Sequence, residues 1–133
     1  MKDLFTIGDK KTYLHKVSTA DFAAFHGEAV HEVYSTFAIT RDAEWSSRLF
    51  ALDLKDESEE GIGTFVNIEH HAPAFLNDNV LFTATIESLH KNEIICNIKA
   101  TVSDRTIASG KTGQKIIDKE KLKKYFETLK RGI

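Results

Sequence analysis

The chain has 133 residues, 41% of them hydrophobic and 29% charged, and carries a formal net charge of -2. That composition belongs to a globular protein with a real core and excludes a disordered one, while so small a charge offers nucleic acid or an anionic membrane no general attraction. The single cysteine, Cys96, excludes an internal disulfide and suits a reducing compartment. Residues 1–11 lack the apolar run of a signal peptide, and no segment approaches the roughly 20 apolar residues needed to span a bilayer. The expectation is a cytoplasmic protein with one domain over residues 1–133, without nucleic-acid or membrane partners.

In chain order, residues 11–18 alternate polar with apolar at Tyr13 and Val17 and predict a first strand. Residues 19–34 read as an irregular connection with a short helical turn over 21–25. The pattern from 36 to 54 is helical with two apolar stripes, Ala38, Trp45, Leu49 and Leu52 on one side and Ile39, Ala43, Phe50 and Leu54 on the other. A surface helix needs one stripe, so two predict a helix packed against a sheet and also enclosed elsewhere, as by a partner subunit. The polar run Lys55-Asp56-Glu57-Ser58-Glu59-Glu60 and Gly61 end it. Strand alternation then places Thr64, Val66, Ile68 and His70 on one face and Phe65, Asn67, Glu69 and His71 on the other. Val80 to Glu87 and Ile94 to Ser103 alternate likewise, with Lys91-Asn92 as a hairpin turn between them. A further strand over 106–117 and an amphipathic helix over 119–130 complete the chain. The order predicts an α+β fold with an antiparallel sheet.

Three polar residues stand out, each with a plain structural reading. His70 shares the apolar face of its strand and points toward the helix, where a buried histidine satisfied by one hydrogen bond would suffice. Its neighbour His71 faces the other way. Glu44 lies one turn from Arg41 and Arg48, which predicts a solvent-facing ion pair, although the adjacent Trp45 argues for an enclosed carboxylate that needs a partner. Thr36 starts the helix, where a threonine ordinarily caps. It lies eight residues before Glu44, about 12 Å along a regular helix. The two can therefore cooperate only if Thr36 belongs to a loop that folds back.

Other motifs fail. Gly61-Ile62-Gly63 lacks the third glycine of a dinucleotide fingerprint and leads into a strand, and Gly110-Lys111-Thr112 lacks the earlier glycine of a phosphate-binding loop. The histidines of His26-Gly27-Glu28-Ala29-Val30-His31 have the wrong spacing for a metalloprotease helix. No metal and no cofactor are expected.

Taken together, Glu32-Val33-Tyr34-Ser35-Thr36, then Glu44-Trp45, then Gly61-Ile62-Gly63-Thr64 and Val66-Asn67-Ile68-Glu69-His70 with Ala72-Pro73 resemble the fluoroacetyl-CoA thioesterase family of hot-dog proteins. The resemblance runs from about Gly8 to Asp118. It implies a hot-dog fold, with an antiparallel sheet wrapped around a long central helix, and a homodimer with active sites at the subunit interface. It implies hydrolysis of an acyl-CoA, with Thr36, Glu44 and His70 catalytic and the backbone of Gly63 facing the acyl group. A thioester expels a thiolate of pKa near 8.5, so it needs a nucleophile and charge stabilisation more than an acid. Glu44 would either attack the carbonyl or activate a water, His70 would orient and protonate, and Thr36 would position the carboxylate or the acyl oxygen.

There are departures. The family's lid carries a phenylalanine where this chain has Val30, and Lys111-Thr112-Gly113-Gln114 replaces a charged Thr-His-Glu-Arg run. Both shift the expectation from fluoroacetyl to another short or modified acyl group. The rival reading is a non-catalytic hot-dog protein that binds an acyl or other small ligand, or serves as a scaffold; a hot-dog dehydratase ranks below both.

Overall fold

Alternation and helical periodicity translate directly into the elements of the computed structural model, which describes residues 1–132 apart from the side chain of Ala29. A first strand β1 (Lys10–Lys16) is followed by a single 3-10 turn (Thr19–Asp21) and a hairpin of β2 (Phe22–Phe25) and β3 (Glu28–Tyr34). The long helix α1 (Thr36–Leu54) comes next, then four strands β4 (Glu59–His70), β5 (Asn79–His90), β6 (Glu93–Val102) and β7 (Arg105–Asp118), and the terminal helix α2 (Lys119–Lys130). The main sheet is antiparallel in the order β1-β5-β6-β7-β4, which leaves β1 and β4 as its edges. The fold is α+β, with the sheet wrapped around α1.

The connection over 19–34 is more regular than expected. The helical turn ends at Asp21, and the chain from Phe22 onward pairs as a hairpin closed at His26 and Gly27, both with positive φ. Alternation is weak there because register shifts interrupt both short strands of the pair.

Helix α1 begins because Ser35 caps it, its hydroxyl accepting the Ala38 N–H at 3.0 Å. It ends where Lys55 turns to an extended conformation. Its inward face sets Ile39, Ala43, Phe50 and Leu54, all fully buried, against Phe82, Ile86, Ile94 and Ile107 of the sheet. Burial of each large apolar side chain contributes about 1.5–3 kcal/mol, so this face holds the helix. Small residues bring helix and sheet close: a Cβ on Gly61 would stand 2.9 Å from that of Ala51.

The stripe of Ala38, Trp45, Leu49 and Leu52 is only partly enclosed within this chain, Ala38 being buried. Trp45 and Leu52 are 41% and 39% exposed, and Phe37 at the helix start is 84% exposed. Helix α2 is tied at its root, where Lys119 N–H donates to the Ser58 carbonyl and Asp118 caps the Lys121 N–H, and it carries Tyr125, Phe126 and Leu129 exposed. Among the described residues no helix is long and apolar enough to cross a membrane. Cys96 is buried within β6, which pushes its thiol up to about 12 and makes it a poor nucleophile.

Candidate active site

Because Ser35 takes the capping role, the hydroxyl of Thr36 is left for another partner. That partner is His70 at the end of β4: Thr36 Oγ1 and His70 Nδ1 lie 2.9 Å apart. His70 is half-buried on the same face as Val66 and Ile68, as alternation predicts, while His71 is exposed and bonded to Ser109. The other ring nitrogen of His70, Nε2, is buried without a hydrogen-bond partner. Thr36 is the first residue of α1 and does not fold back from a loop.

Glu44 lies two turns further along α1, half-buried, against Gly63 of β4. A Cβ built on Gly63 would fall 1.9 Å from Glu44 Oε1 and 3.1 Å from its carboxyl carbon, so only glycine leaves room for the carboxylate. The expected ion pair with the neighbouring arginines is not formed, and the reason is geometric. Arg41 turns to Asp21 and Asp42, at 3.0 and 2.9 Å from Nη2, and Arg48 donates to the Gly61 carbonyl at 2.8 Å.

The chain thus sets the four expected site residues in two separate pairs, Thr36 with His70 and Glu44 with Gly63, and does not bring Thr36 back to Glu44. The eight-residue spacing separates the pairs by about 12 Å along α1. A cavity of about 560 Å³ lies beside the first pair, between the β2–β3 hairpin and the start of α1, with walls from Phe22, Ala23, Phe25, Thr36 and Phe37. Val30, on β3, is exposed and is not among its walls.

Between helix and sheet the seam holds further polar groups, which the sequence marked only as part of the departing run Lys111-Thr112-Gly113-Gln114 and not as site residues. Gln114 of β7 is fully buried opposite Gly63 in the strand register, and neither atom of its amide has a partner; nor does the buried hydroxyl of Thr112. A buried polar group without a partner costs about 1–3 kcal/mol. The available signal was the alternation of β7, which sets Thr112 and Gln114 on the face that Ile116 buries.

A second polar cluster on α1 is of the opposite kind. Asp21 and Asp42 are 3% and 4% exposed, yet every carboxylate oxygen is engaged. Asp42 accepts from Arg41 Nε and Nη2 and from the Tyr34 hydroxyl; Asp21 accepts from Arg41, from Ser18 and, at 2.7 Å, lies against His15 Nε2. Burial works against the ionisation of Asp21, but the Ser18 N–H, His15 and Arg41 outweigh it and hold its carboxyl at about 2. Burial, reinforced by Asp42, pushes the Tyr34 phenol well above its ordinary value. His15, Asp21 and Asp42 could converge on a cation, their ligand atoms lying within 4.8 Å of one another. Arg41 already supplies that positive charge, so the cluster reads as a clasp joining β1, the hairpin and α1.

An antiparallel sheet wrapped around one long helix is the architecture of the hot-dog proteins. Residues 17–120 match the sequence profile described as fluoroacetyl-CoA-specific thioesterase, and the chain belongs to that family. It is thus a thioesterase.

Solved structures agree on the fold. A thioesterase superfamily member from Thermus thermophilus superimposes with a TM-score of 0.89 at 28% identity, over 95% of this chain and 93% of that one. The fluoroacetyl-CoA thioesterase FlK gives 0.82 at 20% identity, over 95% and 98%. A hot-dog-like protein from Thermanaerovibrio acidaminovorans gives 0.85 at 23% identity, over 93% and 92%. No curated protein matches the sequence.

Proposed function

We propose that the protein hydrolyses a short or modified acyl-CoA, with Glu44 as the group that attacks or activates water, Gly63 admitting the carboxylate to the acyl carbon, and the Thr36–His70 pair, about 12 Å toward the helix start, contacting the bound substrate. The observation that supports this most is the placement of Glu44: half-buried, its arginine neighbours committed elsewhere, and packed on a glycine where any Cβ would displace its carboxylate. A carboxylate in that setting is free to act on a ligand. The cavity beside Thr36, walled mostly by apolar side chains, suits an acyl group.

Glu44 either adds to the thioester carbonyl, giving a mixed anhydride that water cleaves, or removes a proton from the attacking water. In both routes the tetrahedral intermediate expels CoA as thiolate. His70, held by Thr36, keeps an Nε2 that the chain leaves without a partner, and in this reading it contacts the substrate near the helix start.

The working unit in this reading is a homodimer. The exposed stripe of Phe37, Trp45 and Leu52 and the open edge of β4 lie beside the two residue pairs, and a second copy would cover them. Solution mass tests that part; a stable monomer counts against it. The activity is tested by following free thiol with acetyl-, fluoroacetyl-, butyryl-, hexanoyl- and benzoyl-CoA. Turnover of at least one is expected, and turnover of none, with binding retained, would favour the non-catalytic ligand-binding protein.

A further inference from the structure

Among the described residues, the buried side-chain atoms without hydrogen-bond partners are His70 Nε2, Thr112 Oγ1 and both amide atoms of Gln114. All of them lie on β4 and β7, the two strands that flank the Glu44–Gly63 contact. Gln114 is the most demanding, since its amide offers two donors and two acceptor positions and none is used. It is also the best placed. The point where a Cβ of Gly63 would stand is 3.6 Å from Gln114 Nε2 and 1.9 Å from Glu44 Oε1, so amide and carboxylate face one small space. A Leu or Met side chain would fill the same volume without an unpaired amide.

We propose that Gln114 holds the hydrolytic water against Glu44, an assignment that rests on the thioesterase reading above. An ordered water needs two or more polar partners, and the amide and the carboxylate beside Gly63 supply two. The water accepts a hydrogen bond from Gln114 Nε2 and donates one to the Glu44 carboxylate, which leaves one lone pair directed at the acyl carbon. As that lone pair forms the new C–O bond, Glu44 takes the proton and the carbonyl electron pair moves to oxygen. On collapse the C–S bond breaks, and the thiolate takes up the proton from Glu44. The products are the carboxylic acid, which ionises to solvent, and free CoA thiol.

The test uses the full chain and its best substrate from the acyl-CoA panel. In Gln114→Met, close in shape but without the amide, kcat falls at least tenfold with KM within twofold, while the thermal midpoint holds or rises because a buried unpaired amide is gone. In Gln114→Glu, a second carboxylate faces Glu44 and the acid limb of the kcat/KM profile moves to higher pH. A Gln114→Met enzyme with kcat within twofold of wild type, or with only KM raised, overturns the proposal. If that variant does not fold, an unmoved acid limb in Gln114→Glu does so. Glu44→Gln separates the two levels: inactive Glu44→Gln with fully active Gln114→Met overturns the role of Gln114 alone, whereas active Glu44→Gln overturns the thioesterase site itself.

Discussion

Helix α1 carries two clusters of polar residues, centred on Asp42 and Glu44 only two positions apart, and they are built on opposite principles. Around Asp42 every buried oxygen has its donor, and the two buried carboxylates share the Arg41 guanidinium and the neighbouring His15. Around Glu44 the carboxylate lies on a glycine, with an unpaired glutamine amide on the neighbouring strand and an unpaired imidazole nitrogen further along the seam. The first cluster spends its hydrogen bonds on the fold. The second leaves them unpaired within the chain. Polar groups so arranged cost stability, and such a cost is expected where a substrate has to be bound and turned over.

The contrast can be broken first where the largest effect is expected. Asp42→Ala strips the Tyr34 hydroxyl and Arg41 of a buried acceptor, and should cost about 3 kcal/mol in urea unfolding. A loss below about 1 kcal/mol would show that the clasp is not structural. Gly63→Ala should do the reverse: the new methyl displaces the flexible end of Glu44, so thioester hydrolysis falls about a hundredfold while the unfolding midpoint changes little. Equal losses of stability and activity in that variant would erase the distinction.

Acid sharpens it next. The carboxyl of Asp21 is held at about 2 in the folded chain against an ordinary 3.8, so the folded state binds its proton less readily than the unfolded one. The stabilisation it brings is complete above about pH 4 and is lost as pH falls toward 2, an effect on the order of 2 kcal/mol. Asp21→Asn should flatten that part of the stability profile; an unchanged slope would place the acid sensitivity elsewhere. Smallest is Thr36→Val, which removes one exposed hydrogen bond to His70 and should lower kcat about tenfold with the fold intact. Wild-type kcat would leave Thr36 without a role in the reaction.

Much of this was readable in the chain. The bounds of α1 followed from its two stripes, and alternation aimed His70 rather than His71 at the helix. The Asp21–Asp42 clasp was not readable, because it joins residues from β1, the hairpin and α1 whose spacing carries no period. For the same reason Arg41 looked like a partner for Glu44 three positions away, whereas the fold gives it two buried aspartates. Thr36 passed for a cap because Ser35 stands directly before it and either hydroxyl could serve. Gln114 was legible only as part of a run that departs from the family, not as a buried group beside Glu44. A polar residue in a strand reads as solvent-facing until the register sets it opposite Gly63 and under the helix.

The most direct measurement is paired: initial rates of thiol release and the thermal midpoint of Glu44→Gln, each beside wild type, on the acyl-CoA that wild type turns over best. The loss of activity should be roughly a thousandfold or more, with the midpoint unchanged or higher, since the site is held open at a cost to the fold. Full activity in Glu44→Gln would contradict the account.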